Sequence, residues 1–263
     1  MAYTTIDDPS TYFTTTLYTG DGNDDRSITN SANAGNFKPD WLWAKQRNTT
    51  RHHQLVDSTR GATKMLQSSL ANAESTNANA IQAFETNGFQ LGTDTDINQD
   101  AGTYVSWQWV ANGGTTTTND ASSTSVGTID SVYQADTTAG FSIVTYTGTG
   151  SNGTIAHGLG STPEWYFVKN RSEGAISGTG QSWVTYHQAI GQGAAMFLDT
   201  TDTKINHSPF WNSTAPTSTT FSVGTDSRTN TSGDNYVAYC FAPVKGYSMF
   251  GSYEGNANAD GVF

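Results

Sequence analysis

Charged side chains and cysteine are scarce in this sequence. Only 13% of the 263 residues are Asp, Glu, Lys or Arg, about half the share that is usual in soluble proteins. The single cysteine, Cys240, excludes a disulfide within the chain. The net charge of -11 opposes binding to phosphate backbones and to anionic membranes. We therefore expect no nucleic-acid partner and no membrane insertion.

Long apolar runs and a secretion signal are also missing. No stretch approaches the roughly 18 apolar residues of a membrane span, and residues 1–13 have no basic start followed by an apolar core. The cysteine usage fits assembly in a reducing cytoplasm. We therefore expect exposure outside the cell to come by a route other than secretion, such as the release of particles by lysis.

The residues that are abundant favour β structure. Thr suits strands, Asn, Gly and Ser suit tight turns, and seven Trp contribute to an aromatic content of 12%. Val105, Trp107 and Trp109 alternate with their neighbours at the period of a strand, and residues 41–44 are apolar on both faces, which predicts a strand buried on both sides. The best helix candidate, residues 65–83, predicts a turn or two at most. The sequence predicts an all-β fold of antiparallel β-sandwiches.

Four blocks of sequence occur twice, in the same order. Such internal repeats indicate duplicated structural units, and differences in spacing between the blocks are what insertions in surface loops produce. The matched blocks are residues 13–22 with 141–150, 39–47 with 163–171, 89–94 with 221–226, and 104–109 with 236–241. The sequence therefore predicts two homologous domains in tandem.

The repeats divide the chain into four parts. Residues 1–111 are the first β-sandwich, and residues 140–246 are the second. Residues 112–139 are a linker rich in Thr, Ser and Gly, in which residues 131–133 are expected to pair locally as a short strand at most. Residues 247–263 are similar to the opening strand of each sandwich and then stop. A lone strand cannot bury its apolar face. We expect a third repeat that is truncated here, or a strand that pairs with the second domain or with a neighbouring chain.

A resemblance to a known family covers nearly the whole chain. It is carried by MAYTTIDDPSTYF at the N-terminus, FKPDWLWAKQR and VDSTRGATK in the first repeat, GFSIVTYTGTGSNGTIAHGLGSTPEWYFVKNR in the second, and NYVAYCFAPVKGYSMFGSYEGN near the end. These stretches resemble the repeated domain of tail-fibre and tail-associated structural proteins from marine bacteriophages, including those of cyanobacteria and pelagic bacteria. The most specific block is residues 155–163. The resemblance implies jelly-roll sandwiches similar to concanavalin A or laminin G, a place in the virion, and no catalytic residues.

No motif predicts catalysis, a cofactor or a metal centre. His157 lacks an acidic or nucleophilic partner motif and has no counterpart in the first repeat, so we expect it to be a structural residue of a turn. Residues 21–25 contain oxygen ligands of the type that Ca²⁺ prefers. The second repeat lacks them, so we expect a turn there, with an ion site as the alternative. Asp94 and Asp226 recur after Gly-Thr and are expected to cap turns.

Aromatic residues that differ between the repeats are the candidates for binding. Trp211 has no counterpart in the first repeat and lies in a loop-like context, and Trp183 and Tyr186 are similar. Exposed Trp and Tyr stack on sugar rings or anchor protein interfaces. The alternative is that these rings fold back onto the core. Trp211, Trp183 and Tyr186 are the predicted receptor or interface contacts.

These observations predict a non-enzymatic structural protein of a bacteriophage virion, in its tail fibre or host-attachment apparatus. It would be assembled in the host cytoplasm and exposed on the particle, where many copies strengthen weak contacts with a host-surface glycan or protein. Expected partners are other virion proteins and further copies of the chain; a trimer is compatible, although the chain has no heptads. The alternatives are a purely architectural tail, horn or capsid-decorating protein and, ranked last for want of a carboxylate pair, a polysaccharide depolymerase.

Overall fold

The regular secondary structure of the described residues consists almost entirely of antiparallel β-strands. A computed structural model describes residues 4–30, 37–173 and 181–256, and the prediction of an all-β sandwich fold is confirmed. The three α-helices in these residues, α1 (Thr95–Asn98), α2 (Ala121–Thr124) and α3 (Ser227–Asn230), have four residues each. None of the described helices is therefore long enough to cross a bilayer.

The strands of the first half form two main sheets. One has the order β1-β9-β3-β4, the second has the order β2-β8-β7, and β5 and β6 pair separately. A short 3-10 helix, Pro9–Thr11, precedes the first strand. The strands are β1 (Phe13–Thr19), β2 (Arg26–Thr29), β3 (Trp41–Gln46), β4 (Gln54–Asp57), β5 (Lys64–Met65), β6 (Ser75–Thr76), β7 (Ile81–Glu85), β8 (Gly88–Leu91) and β9 (Thr103–Trp109).

The second half contains the strand order of the first sheet within a larger sheet. Its eight-stranded sheet runs β10-β11-β12-β19-β14-β15-β16-β17, and β13 pairs with β18. The segment β12-β19-β14-β15 thus has the connectivity of β1-β9-β3-β4. The strands are β10 (Thr117–Asn119), β11 (Ser131–Asp136), β12 (Phe141–Thr147), β13 (Gly153–Ala156), β14 (Trp165–Asn170), β15 (Val184–His187), β16 (Ala194–Phe197), β17 (Ile205–Asn206), β18 (Thr220–Val223) and β19 (Asn235–Phe241).

In the part of the chain that the structure describes, three apolar cores lie between four β layers. The first core lies between the two sheets of the first half and contains Leu42 and Phe89. The second joins the halves: Trp41 on β3 packs on Tyr239 of β19, with ring centroids 4.5 Å apart. The third lies between the eight-stranded sheet and β13-β18 and contains Phe221. Strand β3 is therefore buried on both faces, as its apolar pattern predicts, because successive side chains point to opposite faces of a sheet.

Residues that recur in the two halves build the same turns. Asp94 and Asp226 accept hydrogen bonds from backbone N–H groups at the starts of α1 and α3, which confirms the predicted caps. Buried Asn98 donates to the carbonyls of Asn23 and Gly92. Its counterpart Asn230 donates in the same way to two carbonyls across its own turn. These residues recur because their side chains form hydrogen bonds with backbone groups that would otherwise lack a partner, which is a structural role and not a catalytic one.

The structure differs from the sequence-based expectation in three segments. Residues 112–139, expected to be a linker, contain β10, α2 and β11, because a Thr-rich stretch suits a strand as well as a coil once a neighbouring edge is available. Residues 65–83, the helix candidate, contain parts of β5, β6 and β7 instead. Residues 247–256 form no strand beyond an isolated bridge between Val244 and Ser248. Residues 257–263 lie outside the described residues.

Candidate functional site

The three predicted contact residues are not on the surface. Trp183 and Trp211 are fully buried and Tyr186 is 5% exposed, so the expectation that they contact a receptor is wrong. Trp211 donates its indole N–H to the carbonyl of Ala194 at 3.1 Å. A buried indole N–H usually has such an acceptor, because an unpaired donor is costly to bury. The loop that carries Trp211 therefore folds back onto the third core.

Trp183 has a structural role between the two halves. Its indole N–H donates to the carbonyl of Gln67, 2.9 Å away in the first half, and its ring lies 6.3 Å from that of Tyr239. Tyr186 stacks on Tyr166 at 4.6 Å. All three residues thus belong to the packed interior, and the candidate site must be sought elsewhere.

Three aromatic side chains form a row across neighbouring strands at one end of the first sheet. Strand register places Phe13 opposite Trp109 and Trp109 opposite Trp41. Their ring centroids are 4.8 and 4.4 Å apart along this row. Trp41 is fully buried, whereas Phe13 and Trp109 are partly exposed. The row therefore runs from the interior of the second core to its rim.

The second sheet presents an equivalent row opposite the first. Phe141 lies opposite Phe241, and Phe241 lies opposite Trp165, with ring centroids 4.9 and 4.8 Å apart. Across the two sheets, Trp109 lies 6.3 Å from Phe141. Trp165 is partly exposed at the rim. Two aromatic rows from the two halves thus meet at one end of the second core.

A cavity of about 270 Å³ opens between the ends of these rows. Phe250, in the chain after β19, packs 6.0 Å from both Trp165 and Phe241, and its carbonyl accepts a hydrogen bond from Gln188 at 3.0 Å. We call this cavity the aromatic groove. It is lined by Phe13, Trp109, Ala139, Gly140, Phe141, Trp165, Phe241, Tyr247, Ser248 and Phe250.

The lining of the aromatic groove determines what it can bind. None of its lining residues carries a formal charge, and its volume lies just below the range of roughly 300–1,000 Å³ that is typical of small-molecule sites. Aromatic faces offer dispersion contact and favour a flat, uncharged group. The geometry therefore fits one neutral ring, inserted between the two halves.

A second depression of about 250 Å³ is more polar, but its one cationic side chain is already paired within the protein. Asp130, Arg171 and Asn235 line it. The guanidinium of Arg171 donates to both carboxylate oxygens of Glu74, at 2.8 and 3.0 Å, so its charge is neutralised within the protein. The aromatic groove is therefore the better candidate site.

A buried charged network also joins the two halves. Arg60 contacts Asp57 at 2.5 Å and Glu74 at 2.7 Å, and Glu74 in turn binds Arg171 of the second half. Tyr239 donates its hydroxyl to Asp57 at 2.7 Å. Burial lowers the pKa of the Arg60 guanidinium, but its anionic neighbours, Asp57 first, outweigh burial and raise it. Every charge in this network has a partner, so the network fixes the two halves to each other and does not serve proton transfer.

The other titratable candidates have structural surroundings. His157 is buried, accepts the N–H of Leu159 at Nδ1 and contacts the carbonyl of Thr217 through Nε2, so it is a neutral turn residue as expected. Burial lowers its pKa to about 4. Asp21 forms an ion pair with Arg26 at 3.3 Å. Within residues 4–30, 37–173 and 181–256, no three His, Cys, Asp or Glu side chains form a metal-binding group.

The sequence pattern does not identify the residues of the aromatic groove as binding residues. Trp109 and Trp165 belong to blocks that occur in both repeats, whereas the sequence-based prediction places binding at aromatic residues without counterparts. What makes these two rings accessible is their position at the strand ends, which depends on how the two halves pack. The informative signal would have been aromatic residues at the first or last position of several strands.

The match to a protein family extends over almost the whole chain. No curated protein and no solved structure gives a significant match. A family model does match, and the matched region, residues 8–263, runs through both halves and includes the aromatic groove. The chain belongs to the family described as a domain of unknown function (DUF7483).

Proposed function

We propose that this chain is a non-enzymatic structural protein of a bacteriophage virion, in the tail fibre or host-attachment apparatus, and that the aromatic groove is its receptor contact. The place in the virion is supported by the resemblance of motifs such as residues 155–163 to tail-associated phage domains. The receptor contact is supported by the groove, where partly exposed Trp109 and Trp165 flank a cavity of about 270 Å³.

The occupant that fits this groove best is a neutral sugar ring of a host-surface glycan. A pyranose has an apolar face that stacks on Trp, and its size suits a cavity for one ring. The uncharged lining and the net charge of -11 both disfavour an anionic polysaccharide. A single small contact of this kind is weak, and many copies on one particle would raise the total avidity.

The joined halves favour a second, purely architectural role. The second core and the Arg60 network fix the two halves to each other, which suits a stiff spacer in a tail, horn or capsid decoration. In that role the aromatic groove would bind no glycan. The two candidates differ in receptor contact and, for a capsid decoration, in location, so tests of both properties separate them.

Location is tested with a labelled antibody against the purified chain, applied to intact particles and viewed by electron microscopy. Labelling of the tail or its fibres is the expected result. Absence of the chain from purified particles, measured by mass spectrometry, would overturn the proposal. Labelling confined to the capsid would favour the architectural role.

Receptor contact is tested on a glycan array and on host cells with Trp109→Ala and its matched control Trp107→Ala. Both residues lie on β9, both are partly exposed and both point to the same face, but only Trp109 lines the groove. Because stacking on Trp contributes about 1 kcal/mol or more, we expect at least about fivefold weaker binding for Trp109→Ala and little change for Trp107→Ala. Equal effects, after thermal unfolding shows both variants folded, would contradict a role for the groove.

A further inference from the structure

The outer edge of β1 is unpaired in the described residues. Strand β1 is at one end of the β1-β9-β3-β4 sheet, so only β9 pairs with it. An edge of this kind presents a row of free N–H and C=O groups to any strand that can pair with it.

The alternation of hydrogen bonds along β1 shows which residues direct their backbone N–H and C=O groups away from β9. The residues that flank β1 bond to the residues that flank β9: Val110 donates to Tyr12 at 3.0 Å, and Gly20 donates to Gly102 at 2.7 Å. In an antiparallel pair, bonded and non-bonded positions alternate. The even-numbered residues of β1 therefore bond to β9, and Thr15 and Leu17 direct their backbone groups outward.

The second half shows how the same edge is filled. Strand β12 has the position of β1 in its sheet, and β11 pairs along it, with Gln134 opposite Ile143 and Val132 opposite Thr145. These two β12 residues correspond to Thr15 and Leu17 by the repeat alignment. The fold therefore accommodates a further antiparallel strand at this edge, but the described residues provide one only in the second half.

The β1 edge also lacks the features that normally prevent pairing. Natural edge strands are protected by charge, proline, bulges or short length. Residues 13–19 contain no charged residue and no proline, pair with β9 without a bulge, and leave Leu17 62% exposed. At seven residues, β1 is longer than the other edge strands of the described sheets, among them β4, β10, β17 and β7, which also has a bulge.

We propose that β1 pairs antiparallel with β1 of a second copy, across a twofold axis at Thr16. This partner follows from length, because the described part of a second copy offers no other edge that could cover all seven residues. The axis at Thr16 places Thr15 opposite Leu17 and Phe13 opposite Thr19. The outward-directed backbone groups of the odd-numbered residues therefore meet each other, and the even-numbered residues form the non-bonded pairs between them.

The self-pairing is chemically consistent. Each cross-strand pair combines Thr with an aromatic, an aliphatic or a second Thr, and no pair brings like charges together. The contact is small, so the association is weak, with a Kd on the order of 10–100 µM. The dimer joins two first-half sheets into one continuous sheet, and Phe13, which lines the aromatic groove, lies opposite Thr19 of the second copy.

Sedimentation equilibrium of the full chain tests the association, with Leu17→Lys and the control Met196→Lys. Both variants add one positive charge at an exposed apolar side chain on a strand, 62% exposed in one case and 37% in the other. Because edge lysines block strand pairing, Leu17→Lys should weaken association at least about tenfold, and Met196→Lys should change it less than about twofold. A chain that stays monomeric at all concentrations, or that responds equally to both variants, overturns the proposal.

Cysteine cross-linking tests the register. The native Cys240 is buried, so the background is low. Thr15→Cys mixed with Leu17→Cys places the two thiols on directly opposed residues about 5.5 Å apart, a spacing that disulfides accept. The mixture should form at least about fivefold more cross-linked dimer than Thr15→Cys mixed with Thr19→Cys, whose positions are out of register. Equal yields overturn the pairing about Thr16.

Discussion

Removal of the buried guanidinium of Arg60 should destabilise the chain far more than removal of an exposed one. In Arg60→Ala, Asp57 loses its ion-pair partner at 2.5 Å, and both side chains are fully buried. The carboxylate of Asp57 then remains in the interior with only Tyr239 and backbone groups to satisfy it. Breaking a buried pair in this way costs about 3–5 kcal/mol.

Arg51→Ala is the matched control. Arg51 contacts Asp96 at 2.6 Å, almost the same distance, but the two side chains are 42% and 28% exposed. Water replaces the lost partner there, so the expected cost is about 0.2–1 kcal/mol. The predicted difference between the variants is therefore about 2–4 kcal/mol, a large fraction of the about 5–15 kcal/mol that stabilises a typical domain.

Urea unfolding measures this difference. Tryptophan fluorescence and far-UV circular dichroism should be followed together, because coincident transitions justify a two-state free energy. If Arg60→Ala and Arg51→Ala lower the free energy of unfolding by the same amount within about 1 kcal/mol, burial does not determine how much an ion pair contributes to stability here, and the reasoning is refuted.

Three further predictions concern residues whose surroundings are defined. Trp211→Ala should cost about 3–5 kcal/mol of stability through the cavity it leaves, measured by urea unfolding, and a stable variant with altered receptor binding would contradict its burial. His157 has its pKa lowered from 6.5 to about 4, so the unfolded chain gains the proton first. Stability should then fall by up to roughly 3 kcal/mol as pH drops from 6.5 to 4, and His157→Asn should show a shallower pH dependence of unfolding. Asn98→Ala and Asn230→Ala should each lose about 2–4 kcal/mol in thermal or urea unfolding, and very different losses would show that the two turns are not equivalent.

Much of the fold was predictable because it depends on local pattern. The alternation around Trp107 and the apolar residues on both faces of 41–44 predicted strands, and both are strands. The caps of Asp94 and Asp226 were predictable because a side chain that bonds its own backbone leaves a short sequence signature. Even β11 had a hint in its Val and Tyr, although its composition resembled a linker.

The candidate site was not predictable because it depends on long-range packing. Nothing in the sequence shows whether an aromatic strand face packs within its own half or against the other half. That choice buries Trp183 and Tyr239 and leaves Trp109 and Trp165 at a rim. In the same way, Arg60 and Arg171 are brought to one carboxylate, Glu74, only in the folded chain. Aromatic residues that differ between the repeats are therefore buried rings, not surface contacts.

The shared second core has a consequence for how members of this family diverge. Trp41 and Tyr239 touch across it, so a change of size on one side must be matched by a compensating change on the other. Leu42 and Phe221 each pack inside their own half and are free of this constraint. The outer layers of the two halves can thus diverge independently, but the residues at the contact between the halves must change together.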